Sequence, residues 1–175
     1  MVNIASSTKP KKKTAPTLVS TRNDLPEATR VTSIGLLNQA LADLTDLHSQ
    51  AKQAHWNVTG PAFFFQHELF DKVADAVFEQ LDDIAERIVA LGGIAEGTVR
   101  LAAANSALPE FAVEGKGAHI YVLALANRFA LAAKSVRDAV GATSDAGDAD
   151  TSDLLTAVSR ALDKALWFLE AHFRS

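Results

Sequence analysis

Apolar residues recur every three or four positions along four long stretches of the chain. The clearest stretch covers residues 27–57, where the apolar positions are Ile34, Leu37, Leu41, Leu44 and Leu47. Similar stretches cover residues 61–91, 118–140 and 153–173. This spacing predicts amphipathic α-helices, and no alternating strand pattern or internal repeat competes with it.

Turn-forming residues separate the predicted helices. Asp24 is a candidate N-cap for the first helix, Gly60 and Pro61 end it, and Gly92 and Gly93 end the second. Residues 92–117 predict a long crossover with one short helix near residues 101–107, and a loop over 141–151 precedes the fourth helix, capped by Thr151 or Ser152. The prediction is therefore all-α: residues 24–175 form a four-helix bundle whose crossover joins helices 2 and 3, as in ferritin-like bundles.

Composition limits the class of protein and the chemistry that is available. With 175 residues, of which 48% are hydrophobic and 22% charged, the chain fits one soluble domain. It has no cysteine, so any metal ligands must be nitrogen or oxygen atoms, and a reducing cytoplasm suits it. No apolar run reaches 18 residues and the lysine-rich start lacks an apolar signal core, so we expect a soluble protein that is neither exported nor membrane-bound.

Positive charge is concentrated at the start of the chain. Lys9, Lys11, Lys12 and Lys13 precede the first acidic residue, Asp24, so the remainder is more acidic than the net charge of −4. Residues 1–23 predict a flexible arm, rich in Ser, Thr, Lys and Pro. Two interpretations stay open: a solvated disordered arm, or an arm whose lysines bind the phosphates of DNA without sequence preference, strengthened by many copies on one oligomer.

Histidines and carboxylates lie at helical spacing in the second helix. His67, Asp71, Asp82 and Glu86 share one face, but the step from His67 to Glu86 is about 28 Å, too long for one metal site. Two copies packed antiparallel around residues 76–77 would bring His67 and Asp71 of one copy opposite the partner's Asp82 and Glu86.

His55 is expected close to His67 across the tight turn, which gives a nitrogen and oxygen set suited to iron, or to zinc. The chain has no Glu-x-x-His pair, which argues against a di-iron site within one subunit. The alternative is that these side chains are ordinary surface or packing residues, and the role of His48, seven residues before His55, stays open.

These motifs together resemble one known family. Lys52-Gln53-Ala54-His55-Trp56-Asn57, His67-Glu68-x-x-Asp71, Leu81-Asp82-x-x-Ala85-Glu86-Arg87 and Leu91-Gly92-Gly93 closely resemble Dps, the DNA-binding proteins from starved cells. The match extends over about residues 20–175.

The resemblance implies a dodecameric shell that oxidises Fe(II), preferentially with hydrogen peroxide, stores Fe(III) and protects DNA in the nucleoid of the cytoplasm. Its ferroxidase centre would take His55, His67 and Asp71 from one subunit and Asp82 and Glu86 from its partner, with Trp56 either beside the iron or packed in the interface. DNA binding would depend on the basic arm. The alternative function is a structural protein that compacts DNA and has a weak or zinc-occupied metal site.

Overall fold

The computed structural model describes residues 18–111 and 117–173, and its regular elements in the described ranges are all helices. In chain order they are α1 (Glu27–Asn57), α2 (Phe63–Phe78), α3 (Leu81–Ala90), α4 (Val99–Asn105), α5 (Ala118–Asp145) and α6 (Ala149–Glu170). The predicted all-α fold is confirmed, with α1, the α2–α3 pair, α5 and α6 as the four arms of the bundle and α4 within the crossover.

The bundle encloses one hydrophobic core. Its largest fully buried side chains include Phe70 of α2, Ile84 of α3, Phe129 of α5 and Leu162 of α6, packed around the apolar face of α1. This burial of one face per helix is what the three-to-four-residue spacing predicts. In the described ranges, every helix is too short or too polar to cross a membrane.

The second arm of the bundle is interrupted, so the prediction of one helix over residues 61–91 was wrong. At the interruption the Gln80 N–H donates to Val77 O (3.1 Å), three residues back, and the four-residue ladder resumes at Ile84 N–H to Gln80 O (3.4 Å). Both Glu79 and Gln80 keep right-handed helical dihedrals. A tightened turn of this kind needs neither glycine nor proline, which is why the sequence pattern did not reveal it.

The end of α3 holds the segment that precedes the bundle. Gly92 has φ +85°, and its N–H and that of Gly93 bond to Val89 O and Ile88 O, both at 2.9 Å, in a Schellman cap. The Gly92 carbonyl accepts from Val19 N–H (2.8 Å), and a Cβ on Gly92 would lie 2.6 Å from Val19 O. Val19, which lies within the segment 1–23 predicted as a flexible arm, is thus hydrogen-bonded to the end of α3.

Two predicted helix starts and one predicted end were also wrong. Pro26, which has no side-chain hydrogen bond, stands at the N-cap of α1 in place of Asp24. Helix α5 continues past Gly141 to Asp145, because a single exposed glycine costs a helix only about 1 kcal/mol. Asp148 caps α6 by accepting from Thr151 N–H (3.0 Å), so Thr151 lies inside the helix instead of capping it.

A buried ion pair joins α3 to the cap of α6. The Arg87 guanidinium donates to Asp148 Oδ1 (2.7 Å) and to Thr151 Oγ1 (2.9 Å). The Thr151 hydroxyl in turn donates to Asp148 Oδ2 (2.6 Å). Burial acts to raise the pKa of Asp148, but the hydrogen bonds from Thr151 and Arg87 outweigh it and leave this pKa below its ordinary value.

The crossover is attached along a row of polar side chains on α1, called here the α1 polar stripe: Gln39, Asp43, Asp46 and Gln50. Gln39 and Gln50 donate to the carbonyls of Asn105 (3.0 Å) and Pro109 (3.2 Å). Asp43 accepts from Ala107 N–H (2.8 Å), and Asp46 accepts from the Ser106 hydroxyl (2.6 Å). Burial raises the pKa of Asp43. The stripe fixes the path of the crossover along α1.

Candidate metal centre

The turn between α1 and α2 brings His55 and His67 together. Gly60 adopts φ +116°, a conformation that other residues avoid, and its carbonyl accepts from Phe63 N–H (3.0 Å) at the start of α2. The chain reverses within this turn, and the two imidazole rings stack with centroids 3.7 Å apart at 25°. The predicted proximity of the two histidines is thus observed.

Each histidine is oriented by the backbone of the other. His55 Nδ1 lies 2.8 Å from the carbonyl oxygen of His67, and His67 Nδ1 lies 3.0 Å from the carbonyl oxygen of His55. A carbonyl can only accept, so Nδ1 donates in both rings, and in the neutral form of each ring Nε2 is the nitrogen with the lone pair. Backbone bonds to the second ring nitrogen are the usual way in which proteins orient histidine metal ligands.

Asp71 lies beside this pair and is bound by a lysine. Its Oδ1 is 3.9 Å from His55 Nδ1 and forms a short ion pair with Lys52 Nζ. The hydrogen bond from Lys52 is the main cause that holds the pKa of Asp71 below its ordinary value. A cation that binds Asp71 must therefore displace or share the Lys52 ammonium, a competition that the predicted ligand set did not include.

Lys52 is the residue of this centre that sequence reasoning missed. It lies three positions before His55 on α1, so the two side chains share a helix face, and this spacing is the signal that was available. The face also contains His48, whose ring packs against Phe78 with centroids 5.4 Å apart. Burial, followed by the charge of Lys52, lowers the pKa of His48 and favours its neutral form.

Asp82 and Glu86 lie on α3, beyond the interruption at residues 79–80, and are exposed. Within residues 18–111 and 117–173, no three histidine, aspartate or glutamate side chains of the single chain converge as a metal site. Nor does either carboxylate have an ion-pair or hydrogen-bond partner in those ranges. Within one chain, His55 and His67 stack and Asp71 lies near them without converging on a common point. Asp82 and Glu86 lie apart from these three residues.

Exposed aromatic side chains lie at the end of α1 and the start of α2, the two helix ends that carry His55 and His67. Phe63 packs against the His67 ring at 5.1 Å, and Trp56, Phe64 and Phe65 are each about two-thirds exposed or more. Such a large apolar surface is unusual on a monomer and typical of a contact region. The lysines predicted to bind DNA, Lys9, Lys11, Lys12 and Lys13, lie outside the described residues.

Comparison with known proteins gives one consistent result. Residues 34–175 match the ferritin-like domain family. The chain is 43% identical over 152 residues to the DNA protection during starvation protein of Agrobacterium fabrum. The aligned region covers 87% of this chain and 94% of that protein. Among solved structures, DpsC from Streptomyces coelicolor superposes with a TM-score of 0.87 at 30% identity, covering 95% of this chain and 97% of that one. The Dps of Mycobacterium smegmatis superposes with a TM-score of 0.85 at 30% identity, covering 91% and 96%.

Proposed function

Because this chain belongs to the ferritin-like family of DNA protection during starvation proteins, we propose that it oxidises Fe(II) with hydrogen peroxide and stores the Fe(III) in a shell of identical subunits. Iron is the substrate and cargo of this reaction. The shell is a dodecamer by the family resemblance. The observation that carries the proposal is the histidine pair, whose two Nε2 atoms are left as acceptors by the reciprocal bonds of Nδ1.

The iron site is completed by a second subunit. His55, His67 and Asp71 supply one side, and the partner subunit's Asp82 and Glu86 supply the other. Two features support this division: both α3 carboxylates are exposed without a partner in the described residues, and exposed aromatic side chains on the helix ends that carry the histidines offer a contact surface. The two subunits pack with α2 and α3 antiparallel, so that one two-fold axis generates two equal sites.

The protein contributes ligand placement and charge to the oxidation. The three carboxylates offset the charge of bound iron and stabilise Fe(III) more than Fe(II), while neutral imidazole suits either state. Each of two Fe(II) ions gives one electron to a single peroxide, which takes up two protons and leaves as two water molecules. Because both electrons pass to the same peroxide, no hydroxyl radical is released. Iron binding to Asp71 releases Lys52 from its ion pair.

The DNA-related part of the function rests on the basic arm. Lys9, Lys11, Lys12 and Lys13 bind phosphates without sequence preference, and the many arms of one shell add their weak contacts by avidity. The relatives that carry DNA protection in their name support this assignment. The protein then acts in the cytoplasm, at the nucleoid.

Fe(II) oxidation by the metal-free protein tests the proposal. Under anaerobic conditions, added peroxide is expected to oxidise Fe(II) rapidly in the parent protein and no faster than in buffer in the Asp82→Ala/Glu86→Ala double variant. Asp83→Ala is the matched control, because Asp83 is also exposed and points about 100° away from Asp82 on α3. Native mass must show an assembled shell for all three proteins. Unchanged kinetics in the double variant would refute the shared site.

A second candidate function is compaction of DNA by a structural protein whose metal site is weak or holds zinc. The Lys52–Asp71 ion pair favours it, since an ammonium already occupies one proposed iron ligand. The same assay separates the two functions. A twelve-subunit particle that binds DNA but does not oxidise Fe(II) above the buffer rate would establish the structural function.

A further inference from the structure

The second arm of the bundle, made of α2 and α3, carries an exposed apolar residue near each of its ends. Phe64 lies in the first turn of α2 and is 66% exposed, and Val89 lies in the last turn of α3 and is 59% exposed. The Phe64 ring lies edge-on to the ring of Phe65, which is also exposed. The described part of the chain therefore leaves apolar surface uncovered at both ends of this arm.

Each of these side chains shares a helix face with a proposed iron ligand. Phe64 and Asp71 are seven residues apart within α2, and Asp82 and Val89 are seven residues apart within α3. Seven residues turn an α-helix by about 700°, which is about 20° short of two full turns, and advance it by about 10 Å. Phe64 and Val89 therefore lie on the same face as the ligands, about 10 Å closer to the two ends of the arm.

The two-fold pairing proposed above also brings these apolar residues opposite each other. The axis passes between residues 76 and 77, so positions equally distant from it on the two copies meet. His67 lies nine positions before residue 76 and Glu86 nine positions after residue 77, as the shared site requires. Phe64 and Val89 lie twelve positions before and after the same two residues. A register set by the metal ligands alone thus also matches the two exposed apolar residues.

The metal ligands do not favour this register before iron binds. Each shared site brings together three carboxylates, those of Asp71 and of the partner subunit's Asp82 and the partner subunit's Glu86. Lys52 supplies one positive charge to them through its ion pair with Asp71. Because the sum is negative, an iron-free site opposes association of the two copies. The assembled protein without iron therefore needs another contact to keep the register.

We propose that Phe64 packs against the partner subunit's Val89, in a contact that forms without metal and keeps both iron sites in register. This inference rests on the antiparallel pairing in the proposed function and names the residues that maintain it. The occupant of the apolar surface is a second copy of the chain, because each copy offers both members of the pair and the two-fold axis forms the contact twice. The two phenylalanines alone remove roughly 200–300 Å² of apolar surface from water.

Disulfide formation between two introduced cysteines tests the contact. The chain has no cysteine of its own, so Phe64→Cys/Val89→Cys supplies the only thiols, 25 positions apart on the arm. That separation is roughly 35 Å, far beyond the distance of about 7 Å that a disulfide can bridge between Cα atoms, so any disulfide joins two chains. In the full-length protein, treated with a chelator and oxidised glutathione, we expect a covalent dimer on a non-reducing denaturing gel.

Phe64→Cys/Asp83→Cys is the matched control. Asp83 is also exposed, but it points about 100° away from Asp82 and lies about 9 Å short of Val89 along α3. This control should give no covalent dimer. Equal cross-linking in the two proteins, or none in the Phe64→Cys/Val89→Cys protein, would refute the contact.

If the cysteine variant does not fold, charge replacement decides. Phe64→Glu is expected to raise the concentration at which subunits dissociate, followed by native mass, about ten-fold or more, because it removes an apolar interface side chain. Adding Val89→Lys should restore assembly, since the two charges attract across the contact. Val99→Lys, at an exposed position on α4, should not. Equal assembly with either lysine would contradict the pairing of Phe64 with the partner subunit's Val89.

The experiment separates this contact from the iron chemistry. All variants are made in the Asp82→Asn/Glu86→Gln background and kept free of iron, so absence of Fe(II) oxidation does not affect the result. A cross-link specific to positions 64 and 89 supports the contact even if the parent protein oxidises no Fe(II). A missing cross-link, with Fe(II) oxidation that still depends on Asp82 and Glu86, overturns the contact and leaves the shared site standing.

Discussion

Loss of the buried ion pair between Arg87 and Asp148 is expected to destabilise the bundle strongly. Asp148 is 1% exposed and accepts three hydrogen bonds: Oδ1 accepts from the Arg87 guanidinium and from Thr151 N–H, and Oδ2 accepts from the Thr151 hydroxyl. Asp148→Ala leaves the Arg87 guanidinium with only the exposed carboxylate of Asp150, at 3.9 Å, and removes the cap of α6. The effect is therefore a loss of stability and leaves the histidine pair untouched.

The magnitude follows from burial. Removing one partner of a buried ion pair costs about 3–5 kcal/mol, and loss of a helix cap costs about 1 kcal/mol. The Arg87 side chain keeps 16% of its surface exposed, so water partly solvates the orphaned charge. We expect Asp148→Ala to lower the free energy of unfolding by about 3–4 kcal/mol.

Denaturant unfolding at one fixed chain concentration measures this change, because the stability of an oligomer depends on concentration. Asp138→Ala is the matched control: it also removes an aspartate from an ion pair, with Lys134, but both side chains are about two-thirds exposed. The control should lose no more than about 0.5 kcal/mol. Equal losses in the two variants would refute the argument that burial decides the strength of the Arg87–Asp148 pair.

The same carboxylate gives the stability a pH dependence. Its pKa in the folded chain lies below the ordinary value of 3.8, so the folded state holds the proton less tightly than the unfolded state. The stabilisation is therefore complete above about pH 4 and is lost as the pH falls through the folded pKa. The difference in stability between the parent and Asp148→Ala should shrink in acid, and a difference that grew below pH 4 would reverse the sign of this linkage.

Three further changes have defined outcomes. Gly92→Ala should lower the free energy of unfolding by about 1–3 kcal/mol, since it strains a positive φ and puts a Cβ against a backbone oxygen. Gly35→Ala, which places its Cβ in open space on α1, should instead raise the free energy of unfolding by about 0.5–1 kcal/mol. A loss of stability at both positions would contradict this explanation. Lys52→Met should tighten Co(II) binding about ten-fold in a visible-absorption titration by freeing Asp71, and unchanged or weaker binding would show that the ammonium does not compete. Deletion of residues 1–13 should abolish salt-sensitive DNA binding in a gel-shift assay, and retained binding would rule out the arm.

Local sequence signals predicted the four arms of the bundle, but they could not predict the polar contacts between residues far apart in the chain. The glycines at 92 and 93 and the turn at Gly60 and Pro61 are backbone signals, and the helices end close to them. The interruption at residues 79–80 carries no such signal, because Glu79 and Gln80 are ordinary helix formers. The sequence did not predict Asp148 as the cap of α6, because α6 begins at Ala149 and the apolar spacing indicated a start at residue 153.

At the candidate centre, the proximity of His55 and His67 followed from the shortness of the turn between them. The reciprocal hydrogen bonds, from Nδ1 of each histidine to the carbonyl of the other, depend on two backbone directions that the tertiary fold sets. The Lys52–Asp71 ion pair joins residues 19 positions apart on different helices. Sequence spacing alone does not show which acidic side chain Lys52 will contact. The second-subunit ligands stay a prediction, since Asp82 and Glu86 lie apart from the histidine pair in the single chain.

The α1 polar stripe determines which changes the crossover tolerates. Apart from the Ser106 hydroxyl, the crossover atoms that the stripe holds belong to the main chain: the carbonyls of Asn105 and Pro109 and the N–H of Ala107. Every residue type has the same carbonyl, and every type except proline has the N–H, so most substitutions in this segment preserve its attachment. An insertion or deletion shifts all of these atoms past their partners at once. The attachment of the crossover to α1 thus tolerates changes of residue type and is sensitive to changes of length, the opposite of what a long surface loop usually permits.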